Sequence, residues 1–170
     1  GGPIGQLVAM TAKVFGAVPV ALSDLLASRR GTAHRLGADA ELDPAASDLS
    51  EQVRELAGEG FDVVFEASGA KAALRQAFER VRPGGTIVQI GTLGTADIPL
   101  PANLVMNNEI SFIGSMRYGN VFPEAIQLAS DGRVNLRPLI NDEVFQLDQS
   151  ANAFELAVDK TQSIKVQIQL

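Results

Sequence analysis

The sequence predicts an α/β fold, a doubly wound parallel sheet with helices on both faces. Two observations carry that expectation. Strand-like and helix-like patterns alternate along most of the 170 residues. The strand candidates are near-continuous apolar runs, as strands buried on both faces require. A third observation places a ligand. The chain starts "GGPIG", and Gly2 and Gly5 have the spacing of the second and third glycines of a dinucleotide fingerprint. The first glycine and its strand would precede Gly1, so the sheet is expected to lack its first strand. An empty slot is then expected beside strands 18–24 and 61–66.

The elements follow in order. Ile4, Leu7, Val8, Thr11, Val14 and Phe15 keep the three-and-four spacing of a helix that ends at Gly16. "VPVALSD" (18–24) reads as a buried strand, "SRRGTAHRLG" as a polar helix, and "ADAEL" (38–42) as a short strand. Residues 48–58 read as a helix capped by Ser47 or Asp48. "FDVVFEASG" (61–69) is a strand and turn, with Glu66 a buried or rim carboxylate. "AKAALRQAFERV" is a helix ended by Pro83-Gly84-Gly85, and "TIVQIG" (86–91) is the next strand. "GTADIPLPANL" (94–104) reads as one extended loop, "EISFIGS" (109–115) as a strand and "PEAIQLASDG" (123–132) as a helix. After about residue 119 the rhythm changes. "LINDEVFQLDQ" is mixed, "SANAFELAVDK" is helical, and "IKVQIQL" (164–170) alternates as a one-face strand of a different sheet does.

Composition excludes several classes. A net charge of −6 argues against nucleic acid or an anionic membrane surface as the main partner. No apolar run is long enough to span a bilayer, and no signal-peptide pattern is present, so a cytoplasmic location is expected. There is no cysteine, which excludes disulfides and cysteine-ligated zinc within these residues. The single histidine, His34, reads as an exposed helix residue and cannot build a multi-histidine metal site.

The candidate site residues lie at loops and strand ends. Gly2, Pro3, Ile4 and Gly5 open a helix whose free N–H groups and dipole favour a pyrophosphate. Asp24 ends the second strand of the fingerprint, where a carboxylate accepts hydrogen bonds from ribose hydroxyls and repels a 2′-phosphate. NAD is therefore expected over NADP. Arg29 could flank the adenine or bind a phosphate. Ser68, Gly69, Gly91 and Thr92 are small residues beyond strand C-termini, where a flat ring can approach the backbone. These features also fit an S-adenosylmethionine-dependent methyltransferase or a non-catalytic nucleotide-binding module. A methyltransferase, however, usually finishes with an antiparallel strand pair, whereas "EISFIGS" continues into "MRYGNVFPEAIQLASDGRV".

From "GPIG", Asp24 with Arg29, "LGAD", "FDVVFEASG", "RPGGTIVQIG", "ISFIGSMRY" and "DKTQSIKVQIQL", the chain resembles the zinc-containing medium-chain alcohol and polyol dehydrogenases. The match runs through essentially the whole chain, and "RY" with "DKTQ…KVQ" is most similar to the sorbitol and L-idonate dehydrogenase branch. The resemblance implies a Rossmann-type cofactor domain over residues 1–118. Residues 119–170 would be the segment returning to a GroES-like catalytic domain.

It implies pyrophosphate on Gly2 and Gly5, adenosine on Asp24 and Arg29, and the nicotinamide ribose beside Gly91, Thr92 and Leu93. Ser115 and Met116 would meet the carboxamide, and Arg117 and Tyr118 would line the substrate pocket, their alternatives being a salt bridge and a core aromatic. The catalytic zinc of such an enzyme is held by ligands outside this chain, and the metal-ligand set here is none. The piece alone is then expected to be inactive, its parent a homo-oligomer (dimer or tetramer) oxidising a small polyol or sugar acid.

Overall fold

Proline at the first helical position locks the backbone dihedral that a helix start needs, and α1 (Pro3–Val14) begins there. The computed structural model describes residues 1–95 and 97–170 and divides into two units, Gly1–Pro44 with Asn120–Leu170, and Ala45–Gly119.

In the first unit, α1 buries Gln6 and Met10, and Met10 clusters with Val134 and Leu139. β1 (Ala21–Ser23) is shorter than the expected 18–24 run. Pro19 has no N–H to donate, and the Val20 N–H goes to the Asp39 side chain at 2.7 Å. α2 (Ala27–Arg35) then crosses to β2 (Ala40–Leu42), which pairs with β1 in parallel from Ala21 opposite Ala40. Leu22, Ala33 and Ala38 form the small core of that crossover.

The same unit contains α6 (Phe122–Ser130), β6 (Ile140–Gln146), α7 (Ser150–Val158) and β7 (Lys165–Gln169). β7 alternates in burial as its sequence alternates, and it pairs in parallel with β6 in a sheet of their own. The mixed stretch before α7 is thus largely a strand. Its polar residues are tolerated because most of its side chains face outward, with Phe145 alone fully buried.

The second unit holds α3 (Leu49–Ala57), β3 (Phe61–Glu66), α4 (Lys71–Arg80), β4 (Val81–Gln89), α5 (Ala102–Asn107) and β5 (Ser111–Gly114). Asp48 occupies the N-cap position of α3 without a side-chain capping bond. The three strands form one parallel sheet in the order β3-β4-β5. Val64, Ile87 and Phe112 share one face, and Ile87 is fully buried among Leu74, Ala77 and Phe78 of α4. On the opposite face Val63, Phe65 and Ile113 are exposed in this chain. Among the described residues β1 pairs with β2 in the first unit, and β3 pairs with β4 in the second.

Two sequence expectations need correction here. Pro83-Gly84-Gly85 does not end α4; the helix stops at Arg80 and β4 starts at Val81 with no residue between. The ladder pairs Phe61 with Val81 and resumes with Val63 opposite Thr86, so the Pro-Gly-Gly segment is a bulge inside the strand. Gly60 lies against this joint, where an added methyl would sit 2.6 Å from the Arg80 carbonyl oxygen. The second concerns the expected 94–104 loop, which ends early because Pro101 starts α5. Leu104 and Val105 pack on the α4 core and hold that short helix in place. Ala96, within the expected loop, lies outside the described residues.

Candidate cofactor site

The sequence candidates fall into two groups, one in each unit. In the first, Gly2 is the N-cap of α1 and leaves no side chain over the helix start, whose first turn contains no acidic residue. The free N–H groups of that turn have no internal partner and favour an anion. A methyl group on Gly5 would meet nothing within 4 Å, so this face of the turn is open.

Asp24 follows β1 directly and lies against the same turn. Its Oδ1 accepts the Leu26 N–H at 2.8 Å, and its Oδ2 is 2.9 Å from the Gly1 nitrogen. The Arg29 side chain runs beside Gly1 and Gly2, and its Nε is buried without a partner.

Gln6 was not singled out by sequence, yet it joins these parts. Its side chain is fully buried, and Nε2 donates to the carbonyls of Gly1 (3.1 Å) and Arg29 (2.8 Å). One amide thus ties the glycine turn to the first turn of α2. The available signal was a polar residue four positions before the buried Met10, on the core face of an otherwise apolar helix.

The second group is organised by Glu66, the last residue of β3, which is 3% exposed. Its carboxylate accepts from the Ser68 N–H (2.8 Å), the Ser68 hydroxyl and the Gly69 N–H (2.9 Å). The other carboxylate oxygen accepts from Gln89 Nε2 at 2.6 Å. The Glu66 backbone carbonyl accepts from the N–H groups of Ile90 and Gly91. Gln89 Nε2 also donates to the Gly91 carbonyl at 2.6 Å.

Gly69 and Gly91 meet at this point. A methyl on Gly91 would land on the Gly69 nitrogen, and one on Gly69 on the Thr92 carbonyl oxygen, with Gly69 at φ +71°. The two strand-exit loops therefore present backbone to solvent at close quarters. Thr92 is exposed beside them, whereas Leu93 packs on the hydrophobic core. The Ser68 hydroxyl is turned inward to Glu66.

Beyond β5, the Ser115 N–H donates to the Gln89 carbonyl at 2.9 Å, and Met116 is exposed. Arg117 is exposed at φ +58°, and no ion pair is found for it among the described residues. Tyr118 is 74% exposed. His34 is exposed on α2.

The zinc-binding dehydrogenase family model matches residues 3–131. The chain belongs to this family. Among its relatives, sorbitol dehydrogenase of Bacillus subtilis (strain 168) is 32% identical over 169 residues, covering 98% of this chain and 48% of the relative. D-xylulose reductase of Saccharomyces cerevisiae is 34% identical over 160 residues, covering 91% and 44%. Among solved structures, L-idonate 5-dehydrogenase of Escherichia coli superposes with a TM-score of 0.89 at 31% identity, covering 99% of this chain and 48% of that one. The chain spans about half the length of the relatives it matches.

The fold expectation, a parallel α/β cofactor-binding part of a zinc-containing medium-chain dehydrogenase, is met. Among the described residues there is no group of three or more His, Cys, Asp or Glu that could hold a metal ion. No helix of the described residues is long and apolar enough to cross a membrane.

Proposed function

We propose that this chain is the cofactor-binding part of an NAD-linked dehydrogenase that oxidises a secondary alcohol of a polyol or sugar acid, an L-idonate-like substrate among them. The observation that carries the reading is the Asp24 carboxylate held against the glycine turn of α1. A carboxylate there accepts two ribose hydroxyls and opposes a 2′-phosphate, which favours NAD over NADP.

In the first unit the open Gly5 face and Asp24 suit a pyrophosphate and an adenosine, and in the second Gly69 and Gly91, without room for a methyl, suit a flat ring against backbone. Gly2, Pro3, Ile4 and Gly5 are assigned the pyrophosphate, and Asp24 and Arg29 the adenosine. Ser68, Gly69, Gly91, Thr92 and Leu93, with Ser115 and Met116, are assigned the nicotinamide half. When bound, the cofactor supplies a hydride acceptor at its nicotinamide ring. The chain's own contribution is position: Gly69 and Gly91 let the ring approach the backbone, and Arg117 with Tyr118 orients a substrate hydroxyl or carboxylate.

On this reading residues 1–118 serve the cofactor and 119–170 return to the catalytic part of a longer enzyme, whose catalytic zinc is held elsewhere. The enzyme is assigned to the cytoplasm as a homo-oligomer. The outer edge of β5, unpaired among the described strands, is a candidate subunit contact.

Titration with NADH, NADPH and S-adenosylmethionine tests the cofactor. Assay of the intact protein with NAD and sorbitol, xylitol or L-idonate tests the substrate. Preferential NADH binding with polyol- or idonate-dependent NAD reduction supports the proposal. Saturable S-adenosylmethionine binding without NADH binding would replace it with the methyltransferase reading, and NADH binding without turnover with the regulatory module.

A further inference from the structure

We propose that Glu66 and Gln89 are positioning residues that fix the two nicotinamide-facing loops at their working separation; this rests on the cofactor reading above. Between them they hold three backbone groups of the Gly69–Gly91 contact. The Glu66 carboxylate takes the Gly69 N–H, the Glu66 carbonyl takes the Gly91 N–H, and the Gln89 amide takes the Gly91 carbonyl. The link is closed by the 2.6 Å bond from Gln89 to Glu66. Neither glycine leaves room for a methyl group, so a small change in loop separation alters the surface offered to a flat ring.

The chemistry of the clamp requires a carboxylate at 66. Its side-chain partners are the Ser68 N–H and hydroxyl, the Gly69 N–H and the Gln89 amide, and every one of them donates. The orientation of Gln89 is dictated in turn, because its Nε2 faces two acceptors, Glu66 Oε2 and the Gly91 carbonyl. A neutral amide at 66 cannot serve both sides. If its oxygen stays with Ser68 and Gly69, its NH₂ group faces the NH₂ group of Gln89. Turning Gln89 to relieve that contact puts the Gln89 oxygen against the Gly91 carbonyl. Glu66→Gln therefore keeps volume and removes either the Gly69 anchor or the Gly91 anchor.

The test compares two ligands in the intact protein. NADH carries the nicotinamide ring and its ribose, whereas ADP carries the adenosine and pyrophosphate without them. Glu66→Gln is expected to weaken NADH about tenfold or more, as for loss of a bond to a charged group. ADP should stay within about twofold of wild type, because the contacts assigned to it lie with Asp24 and the α1 turn. Gln89→Met, which keeps the stem and removes the donor, should show the same split and supplies the reading if Glu66→Gln fails to fold. Equal loss of both ligands, or unchanged NADH affinity, overturns the positioning role while leaving the cofactor reading intact. Wild-type protein that binds neither ligand overturns the cofactor reading and this proposal with it.

Discussion

Gly69 lies backbone to backbone against Gly91 and fills the space that a side chain on Gly91 would need, while the Thr92 backbone fills that of Gly69. Gly91→Ala should therefore cost about 1–3 kcal/mol as overpacking against main chain. Gly69→Ala adds the strain of a positive φ and should cost at least as much. Thermal unfolding of the two variants checks this, and a loss below about 0.5 kcal/mol for both would show that the loops yield more easily than their packing implies.

Gly5 offers the opposite case. Its methyl would meet no atom within 4 Å, and it lies inside α1. Gly5→Ala should leave the free protein as stable as wild type or up to about 1 kcal/mol more stable, from helix propensity alone. NADH affinity should fall by tenfold or more if the pyrophosphate rests on this face. Stability and affinity moving in opposite directions would separate the glycine's ligand role from its folding role, whereas unchanged affinity would remove Gly5 from the site.

Asp24→Asn tests cofactor choice. It removes the charge while keeping an acceptor for the Leu26 N–H. NADH binding should weaken about tenfold, and the preference for NADH over NADPH should narrow because the repulsion of a 2′-phosphate is gone. Fluorescence titration with both reduced cofactors measures the ratio. An unaltered ratio would mean that Asp24 does not read the ribose.

Arg117→Ala addresses the substrate. The side chain is exposed and holds no ion pair among the described residues, so its removal should leave the melting temperature within about 2 °C of wild type. In the intact enzyme it should raise KM or lower kcat about tenfold or more without changing NADH affinity. Parallel loss of NADH binding would move Arg117 from substrate to cofactor.

The acid limb of stability has a defined source at Asp39. Its bond to Lys13 and then the Val20 N–H hold the carboxyl below its ordinary value of 3.8. A folded value below the unfolded one stabilises above the unfolded value, and the gain is lost as pH falls through the folded value. Wild type should therefore exceed Asp39→Asn in melting temperature at neutral pH, by about 1–3 °C for an exposed pair. The difference should close as pH is lowered through and below 3.8. A gap that persists in acid would mean that shape rather than charge is responsible.

The legible parts of this chain were those whose cause is local. The Gly2–Gly5 spacing, the acid at 24 and the alternation in 164–170 each state their structure within a few residues. Pro83-Gly84-Gly85 was misread as a helix end because the same residues serve a bulge, and only the register against Phe61 and Val63 decides between the two. Gln6 and Gln89 were missed for a related reason. An amide's role depends on which carbonyls converge on it, and those of Gly1, Arg29 and Gly91 are brought there by tertiary structure. Glu66 was visible as a carboxylate ending an apolar strand, but its four donors were not.

The direct passage from Arg80 into Val81 leaves this stretch no spare chain length. Gly60 is packed onto the Arg80 carbonyl and the Arg82 nitrogen from the side, and the β3–β4 ladder takes hold at once. A Gly-Ser pair inserted after Arg80 would have to push through that contact or slide β4 two residues along β3, setting each of its residues against the wrong partner. The same pair placed after Leu100, in an exposed stretch with no strand to displace, should be accommodated. Across homologous chains, differences in length should accordingly collect in the segment before α5 and be absent at the α4–β4 joint.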